Sequence, residues 1–414
     1  RWMQDNIALK SARFSLEGWM TIEKGDVASG DVWLKKGGAS WQGDNEVHHL
    51  SVDNLTAHLS HDKQSWAFYI PDTRIAIDDK PWPSGALAMA WIPAQDVGGD
   101  DRQRSDELRI RASNLALSGL SGLQPFADKL APSLGELWRT TQPGGKINLL
   151  ALDIPLQATE KTRFQAQWSD LAWKQWKLLP GAEHFSGSLN GSVEHGELRA
   201  HMAKALMPYA GVFRAPLEIA AGEATLSWVK NDKGFMLDGR DIDVQATGVR
   251  ARGFRYLQPQ GDDPWLGILA GISTNDGGQA WRYFPENLMG KALVDYLSGA
   301  IKAGQASDAT LVYGGNPHLF PYPHNEGQFQ VYVPLKNATF AFQPDWPALT
   351  GLNIDLNFIN NGLWMRADKA MLGNVTASNL DAAIPDYAQE KLLIDADIKG
   401  PGKEVGPYFN TTPL

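Results

Sequence analysis

Residues 328–335 read Gln328-Phe329-Gln330-Val331-Tyr332-Val333-Pro334-Leu335, and residues 352–358 read Leu352-Asn353-Ile354-Asp355-Leu356-Asn357-Phe358. Apolar side chains recur at every second position, the period at which a β-strand turns successive side chains to opposite faces. One face is apolar and the other wet. The same alternation sets Ile242, Val244 and Ala246 against Asp241, Asp243 and Gln245, and Leu108, Ile110 and Ala112 against Glu107, Arg109 and Arg111. Half-buried strands of this kind belong to antiparallel sheets, whereas parallel sheets covered by helices read as continuous apolar runs. The 41 glycines and 24 prolines supply the turns. The expected fold is mainly β and mostly antiparallel, with strands of about 8 residues spanning roughly 26 Å.

Two segments break the alternation and read as helices. Over 284–303, Leu288, Leu293, Leu297 and Ile301 fall on one stripe, with Gly304 as the expected terminator. Over 126–140 the stripe is Phe126, Leu130, Leu134, Leu137 and Trp138, ended by Pro143-Gly144-Gly145. Each helix runs directly into an alternating strand, and a further start is expected at Gly406-Pro407-Tyr408-Phe409.

The chain also resembles itself. Phe164-Gln-Ala-Gln-Trp168 is echoed by Phe329-Gln-Val-Tyr-Val333 at an offset of 165, and Pro180/Pro347 and Arg199/Arg366 are both offset by 167. A self-similar unit of this length exceeds β-helix rungs of roughly 20–30 residues and propeller blades of about 40–50, so each copy is itself a small meander with a helix. The expected organisation is a partial repeat over 1–120, a second repeat over 121–283 opening with a helix, and a third over 284–414 that also opens with a helix. If the copies add strands edge to edge they make one long twisted sheet; if not, each is a separate sandwich.

Composition narrows the function. The chain has 414 residues, of which 43% are hydrophobic, which is enough for a substantial core. A net charge of −9, without a long basic run, argues against nucleic acid as a partner. With no cysteine, disulfides, thiolate metal sites and a cysteine nucleophile are ruled out for this sequence. No window approaches 18 uninterrupted apolar residues, so no membrane helix is expected here. The start at Arg1, with no charged and apolar leader pattern after it, reads as an internal piece of a longer protein.

Candidates for chemistry are few. His48, His49, His58 and His61, with Asp44 and Asp62 nearby, are types that bind zinc, but their strand parity places them on a solvated rim. Asp241/Asp243 and Asp395/Asp397 are paired acids of the kind a glycosidase needs, and fit an ordinary polar face better. No catalytic residue, metal or cofactor is expected. Tryptophans at 33, 41, 66, 82, 91, 168, 173 and 176 leave a glycan-binding reading open, since indoles stack on sugar rings; they equally fill the floor of a wide groove.

The helix closing on glycine before an alternating strand, the Leu152-Asp-Ile-Pro-Leu156 segment and the run from Tyr283 to Leu414 are similar to the AsmA-like family of envelope proteins. That resemblance implies a repeating β-groove, a sheet curved into a trough with an apolar floor. It also implies a periplasmic segment of an inner-membrane-anchored protein that carries phospholipid between the two membranes without chemistry. Phospholipid acyl chains are then the expected partner, with membrane contact made by other parts of the protein. By parity, the floor residues are Leu226, Trp228, Ile242, Val244, Val331, Val333, Leu335, Phe340, Phe342, Ile354, Leu356 and Phe358. The helices are expected to cover the trough. The alternatives are an envelope glycan-binding protein and a structural β-sandwich spacer.

Overall fold

The computed structural model describes residues 9–43, 46–62, 64–94, 106–124, 132–177, 179–232, 234–258, 264–342, 346–372, 374–389 and 391–404. Asp44, Phe126, Leu130 and the expected start at 406–409 lie outside the described residues. Among those described, 22 strands belong to one hydrogen-bonded sheet. The chain divides into two compact units, 1–199 and 200–414.

The first unit carries β1 (Leu9–Glu23), β2 (Asp26–Gln42), β3 (Val47–Asp62), β4 (Ser65–Ile70), β5 (Ile75–Ile77), β6 (Lys80–Pro81), β7 (Leu87–Ile92), β8 (Glu107–Ala116), β9 (Gly144–Pro155), β10 (Arg163–Trp173) and β11 (Ala182–Ser192). A 3-10 segment, Leu117–Leu123, and helix α1, Pro132–Thr141, precede β9. Neighbouring strands pair antiparallel from β1 to β4, on through β7, β8, β9 and β10 to β11; the short β5 also pairs with β3.

The unit boundary falls within β12 (His195–Met207). The second unit continues with β13 (Leu217–Asn231), β14 (Gly234–Ala246), β15 (Val249–Gln258), β16 (Leu266–Thr274), β17 (Ile301–Gly315), β18 (Gln328–Phe340), β19 (Leu349–Ile359), β20 (Gly362–Leu372), β21 (Val375–Ile384) and β22 (Leu393–Lys399). From β13 to β22 each strand pairs antiparallel with the next. Between β16 and β17 lie a 3-10 segment, Gly277–Tyr283, a single-turn helix α2, Glu286–Met289, and helix α3, Lys291–Ala300.

The strands are longer than the sequence led one to expect: β2 has 17 residues, β3 has 16 and β18 has 13. Many of the long strands are bent at an interior left-handed residue. Asn54 in β3, Asn114 in β8, Asp170 in β10, His184 in β11, Lys204 in β12, Asp241 in β14, Asn337 in β18 and Asn379 in β21 all have φ between +49° and +56°. Asn and Asp tolerate this conformation because a short polar side chain hydrogen-bonds locally. A residue inserted in this way bends the strand and reverses which parity faces inward. In β18 the inward set is therefore Phe329, Val331, Val333 and Leu335 before Asn337, and Ala338 and Phe340 after it. Repeated on strand after strand, the insertion curves each unit's sheet about its apolar side.

Two glycines serve the same bend. Gly145 in β9 has φ +94°, and a Cβ there would stand 2.2 Å from the Asp170 carbonyl oxygen. Gly304 in β17 has φ +146°, and a Cβ there would stand 2.7 Å from the Leu335 side chain. Gly304 was expected to end the preceding helix. Instead α3 ends at Ala300, and Ile301 already pairs with Phe340 across β17 and β18. Ladder hydrogen bonding to β18 claims the backbone three residues earlier than the glycine signal suggests.

The largest core lies in the second unit. Leu293, Leu297 and Ala300 of α3 share one cluster with Leu335, Ala338, Phe340, Leu352, Ile354, Leu356, Leu363 and Met365 of β18–β20. These strands form a single layer, and α3 packs on its apolar side within that cluster. Each fully buried Leu or Ile here contributes about 1.5–3 kcal/mol relative to exposure.

Candidate acyl-binding faces

The register joins apolar side chains into ladders that run across the strands. In the first unit Met20 stands opposite Gly30, Gly30 opposite Leu59, Leu59 opposite Phe68, and Phe68 opposite Met89. The ladder continues from Met89 to Ile110, Leu152, Phe164 and Gly191, so nine strands contribute no polar side chain. A second ladder runs beside it through Ile70, Leu87, Ala112, Leu150, Ala166 and Leu189. The side chains alternating with these ladders are polar or mostly small: Arg111 bonds Asp153 at 2.7 Å and Arg109 bonds Glu107, while Ala67, Ala88, Ala90 and Ala151 fill other positions.

This face is only half covered. Leu59, Phe68, Ile110, Leu152 and Phe164 are intermediate in exposure, and Met20 and Met89 are exposed. Small buried clusters sit along it, one around Val52, Leu55, Ala57 and Ile70 and another around Trp41 and Ile77. Trp66 and Trp91 face each other across β4 and β7 at the parity of the ladder, and Trp41 donates to the Gly122 carbonyl at 2.9 Å. Several of the tryptophans thus belong to the apolar face itself.

In the second unit one ladder joins Gly222, Val244, Ala251, Ile272 and Ala309. Another joins Ala270, Leu311, Val331, Phe358, Leu363 and Ile384. The twelve residues chosen by parity divide into two groups. Leu226, Trp228, Ile242 and Val244 in β13 and β14 are half-buried, as are Val331 and Val333 at the margin of the large core. Leu335, Phe340, Phe342, Ile354, Leu356 and Phe358 are at most 5% exposed and lie inside that core with α3. The parity reading did not name the residues of the first unit's ladder. Its signal was present in the alternation of Leu108, Ile110 and Ala112 and in the echo that begins at Phe164.

Helix α3 is held by a polar latch. From the connection between β12 and β13, Arg214 bonds Glu286 through Nε and Asp295 through Nη2, the latter at 2.7 Å. The Glu286 amide donates to the Val212 carbonyl at 2.9 Å. Hydrogen bonds, first from Lys291 and then from Arg214, hold the Asp295 carboxyl below its ordinary range. Against the core, burial pushes the Tyr296 phenol of α3 well above its usual value. Its hydroxyl is enclosed without a protein partner among the described residues.

The candidate chemical groups are occupied by one another. His48 bonds Asp78 at 2.8 Å, His58 bonds Asp31, and His61 bonds the Val27 carbonyl at 3.1 Å. No group of three His or carboxylate side chains suited to a metal occurs among the described residues. Asp243 is gripped by Arg250 at 2.9 and 2.7 Å, which holds its carboxyl low. Asp397 accepts from Asn379 at 2.9 Å. No helix is long and apolar enough to cross a membrane among the described residues.

The profile of the family described as YhdP protein matches residues 1–414. The chain is 74% identical over 415 residues to a curated protein of Escherichia coli (strain K12) named intermembrane phospholipid transporter YhdP. All of this chain is aligned, and it spans 33% of that relative's length. No solved structure matches the chain.

Proposed function

Because the chain belongs to the YhdP protein family, we propose that its apolar faces hold phospholipid acyl chains and pass them along, as one segment of a conduit between inner and outer membranes. The observation that carries this reading is the uninterrupted nine-strand ladder from Met20 to Gly191, dry in composition yet only half covered by protein. A self-sufficient core would cover it.

The physical need for such a face follows from the cost of hydrating lipid tails. One acyl chain partitions into membrane with a constant of about 10⁴ M⁻¹, roughly 5.5 kcal/mol, so a two-chain lipid faces about 11 kcal/mol on entering water. A floor that offers apolar contact at every strand replaces the lost tail contacts at each position, and no single position becomes a trap. The head group remains at the wet edge, and no bond is made or broken. The segment is proposed to lie in the periplasm, with membrane attachment made elsewhere in the protein.

The proposed repeats are supported by the matched order of elements. The 3-10 segments at Leu117–Leu123 and Gly277–Tyr283 are offset by 160 residues, and each is followed by a helix and then a long strand. Left-handed residues recur as Asp170/Asn337 and His184/Gly351, both offset by 167. What each copy repeats is a bent strand with an apolar inner side, rather than a set of reactive groups.

The test is lipid retention. The intact protein, purified in mild detergent, should carry phospholipid detectable by mass spectrometry. Val244→Asp should lower the amount severalfold while the melting temperature holds. Retention unaffected by charges placed at Val244 and Ile110 would refute the reading.

A further inference from the structure

We propose that α3 is a displaceable plug in the apolar face of the second unit, latched shut by Arg214; the inference rests on the phospholipid reading and assigns a point of control to the same face. Leu293 and Leu297 of α3 occupy the inner side of β18–β20, where Phe340, Ile354 and Leu356 would otherwise be open to a tail. In its present position the helix fills that part of the floor with its own side chains. On this proposal a lipid that follows the ladder from Val331 to Phe358 and Leu363 takes the place of the helix in the cluster they share.

Four features make that exchange feasible. Helix and tail offer the floor the same kind of contact, so replacing one with the other leaves buried apolar area nearly unchanged. The polar attachments that would be given up are concentrated in the latch from Arg214 to Glu286 and Asp295. Gly290, with φ +81°, separates α2 from α3 and gives α3 no side-chain cap, while at the other end Ala300 passes straight into β17. Gly290 is therefore the hinge, and the C-terminal end, where the Ala300 carbonyl accepts from the Ala341 amide at 2.8 Å, is the pivot that stays with the sheet. Finally, the enclosed Tyr296 hydroxyl has no protein partner among the described residues, a desolvation cost that release of the helix removes.

Hydrogen–deuterium exchange on the intact protein tests the plug. Arg214→Ala should speed exchange of the amides over 291–300 severalfold, a modest change in keeping with a solvent-screened charge network. Amides of β18–β20 should hold their wild-type rates. Arg214→Lys, which keeps the charge and loses the fork, should fall between, and Tyr296→Phe should slow exchange of the same segment. Unchanged exchange over 291–300, or equal acceleration of helix and strands, would overturn the plug. The lipid reading is read separately by a photo-cross-linker at Val244, away from the helix. Adducts there with no change in α3 exchange refute the plug alone, whereas the expected exchange with no adducts refutes the lipid reading. With both intact, adducts at Val333, beside the plugged core, should rise severalfold in Arg214→Ala.

Discussion

The apolar face of residues 1–199 and that of β17–β21 are built by the same alternation, yet they end in opposite states. In the first unit Leu59, Phe68, Ile110, Leu152 and Phe164 stay half-buried. In the second, Phe340, Leu352, Ile354, Leu356 and Leu363 are at most 1% exposed and share one core with Leu293, Leu297 and Ala300 of α3. Strand parity sets which side is apolar in both units; that side is closed where α3 shares its core and half-covered along the first unit's ladder. An open ladder is a surface on which a tail can lie; a plugged one is a core that holds the fold.

The largest expected effect separates the two directly. Leu356→Asp places a carboxylate in a packed core with no partner, and should cost more than about 4 kcal/mol, enough to unfold the region in a thermal melt. Ile110→Asp, on the open ladder, should shift the melting temperature little while reducing bound phospholipid. If both variants unfold alike, the first unit's face is a core as well.

Truncation gives a smaller version of the same contrast. Ile354→Ala should lose about 2–5 kcal/mol in denaturant titration, and Phe68→Ala, already half-exposed, clearly less. Gly304→Ala adds a methyl against Leu335 at a left-handed position, so its expected cost of about 1–3 kcal/mol is one of strain rather than burial. An unaltered midpoint for Gly304→Ala would mean that the bend does not depend on that glycine.

The smallest effect is in pH. The Asp295 carboxyl is held below its ordinary value of 3.8 by Lys291 and Arg214. A depressed folded pKa gives stabilisation that is complete above the unfolded value and lost as pH falls through the folded one. Exchange over 291–300 should therefore show no contribution from Asp295 between pH 7 and 5 once corrected for intrinsic rates, and should accelerate below about pH 4 relative to an Asp295→Asn control. Acceleration already at pH 6 would assign the latch to another group.

Much of the strand architecture was legible because each strand repeats its parity over four or more residues, as Leu352, Ile354, Leu356 and Phe358 do. Even the switch in β18, from Val331, Val333 and Leu335 to Phe340, was readable, since the apolar runs on either side of Asn337 are each long enough to declare themselves. Two things were not. The packing of α3 on one layer joins Leu297 in a cluster with residues at and beyond 335 in the chain, which no local pattern encodes. The end of α3 was misplaced because pairing of Ile301 with Phe340 outcompetes the glycine signal at 304. Openness of the floor is a tertiary property, so the twelve candidates share a parity and not an environment.

Tail binding by the half-covered ladder can be read directly. Photo-cross-linkers placed singly at Ile110 and Val244, and at their outward neighbours Arg109 and Asp243, test it in the intact protein in living cells. Phospholipid adducts are expected at Ile110 and Val244, with background labelling at Arg109 and Asp243. Equal labelling at all four, or none at any, would contradict it.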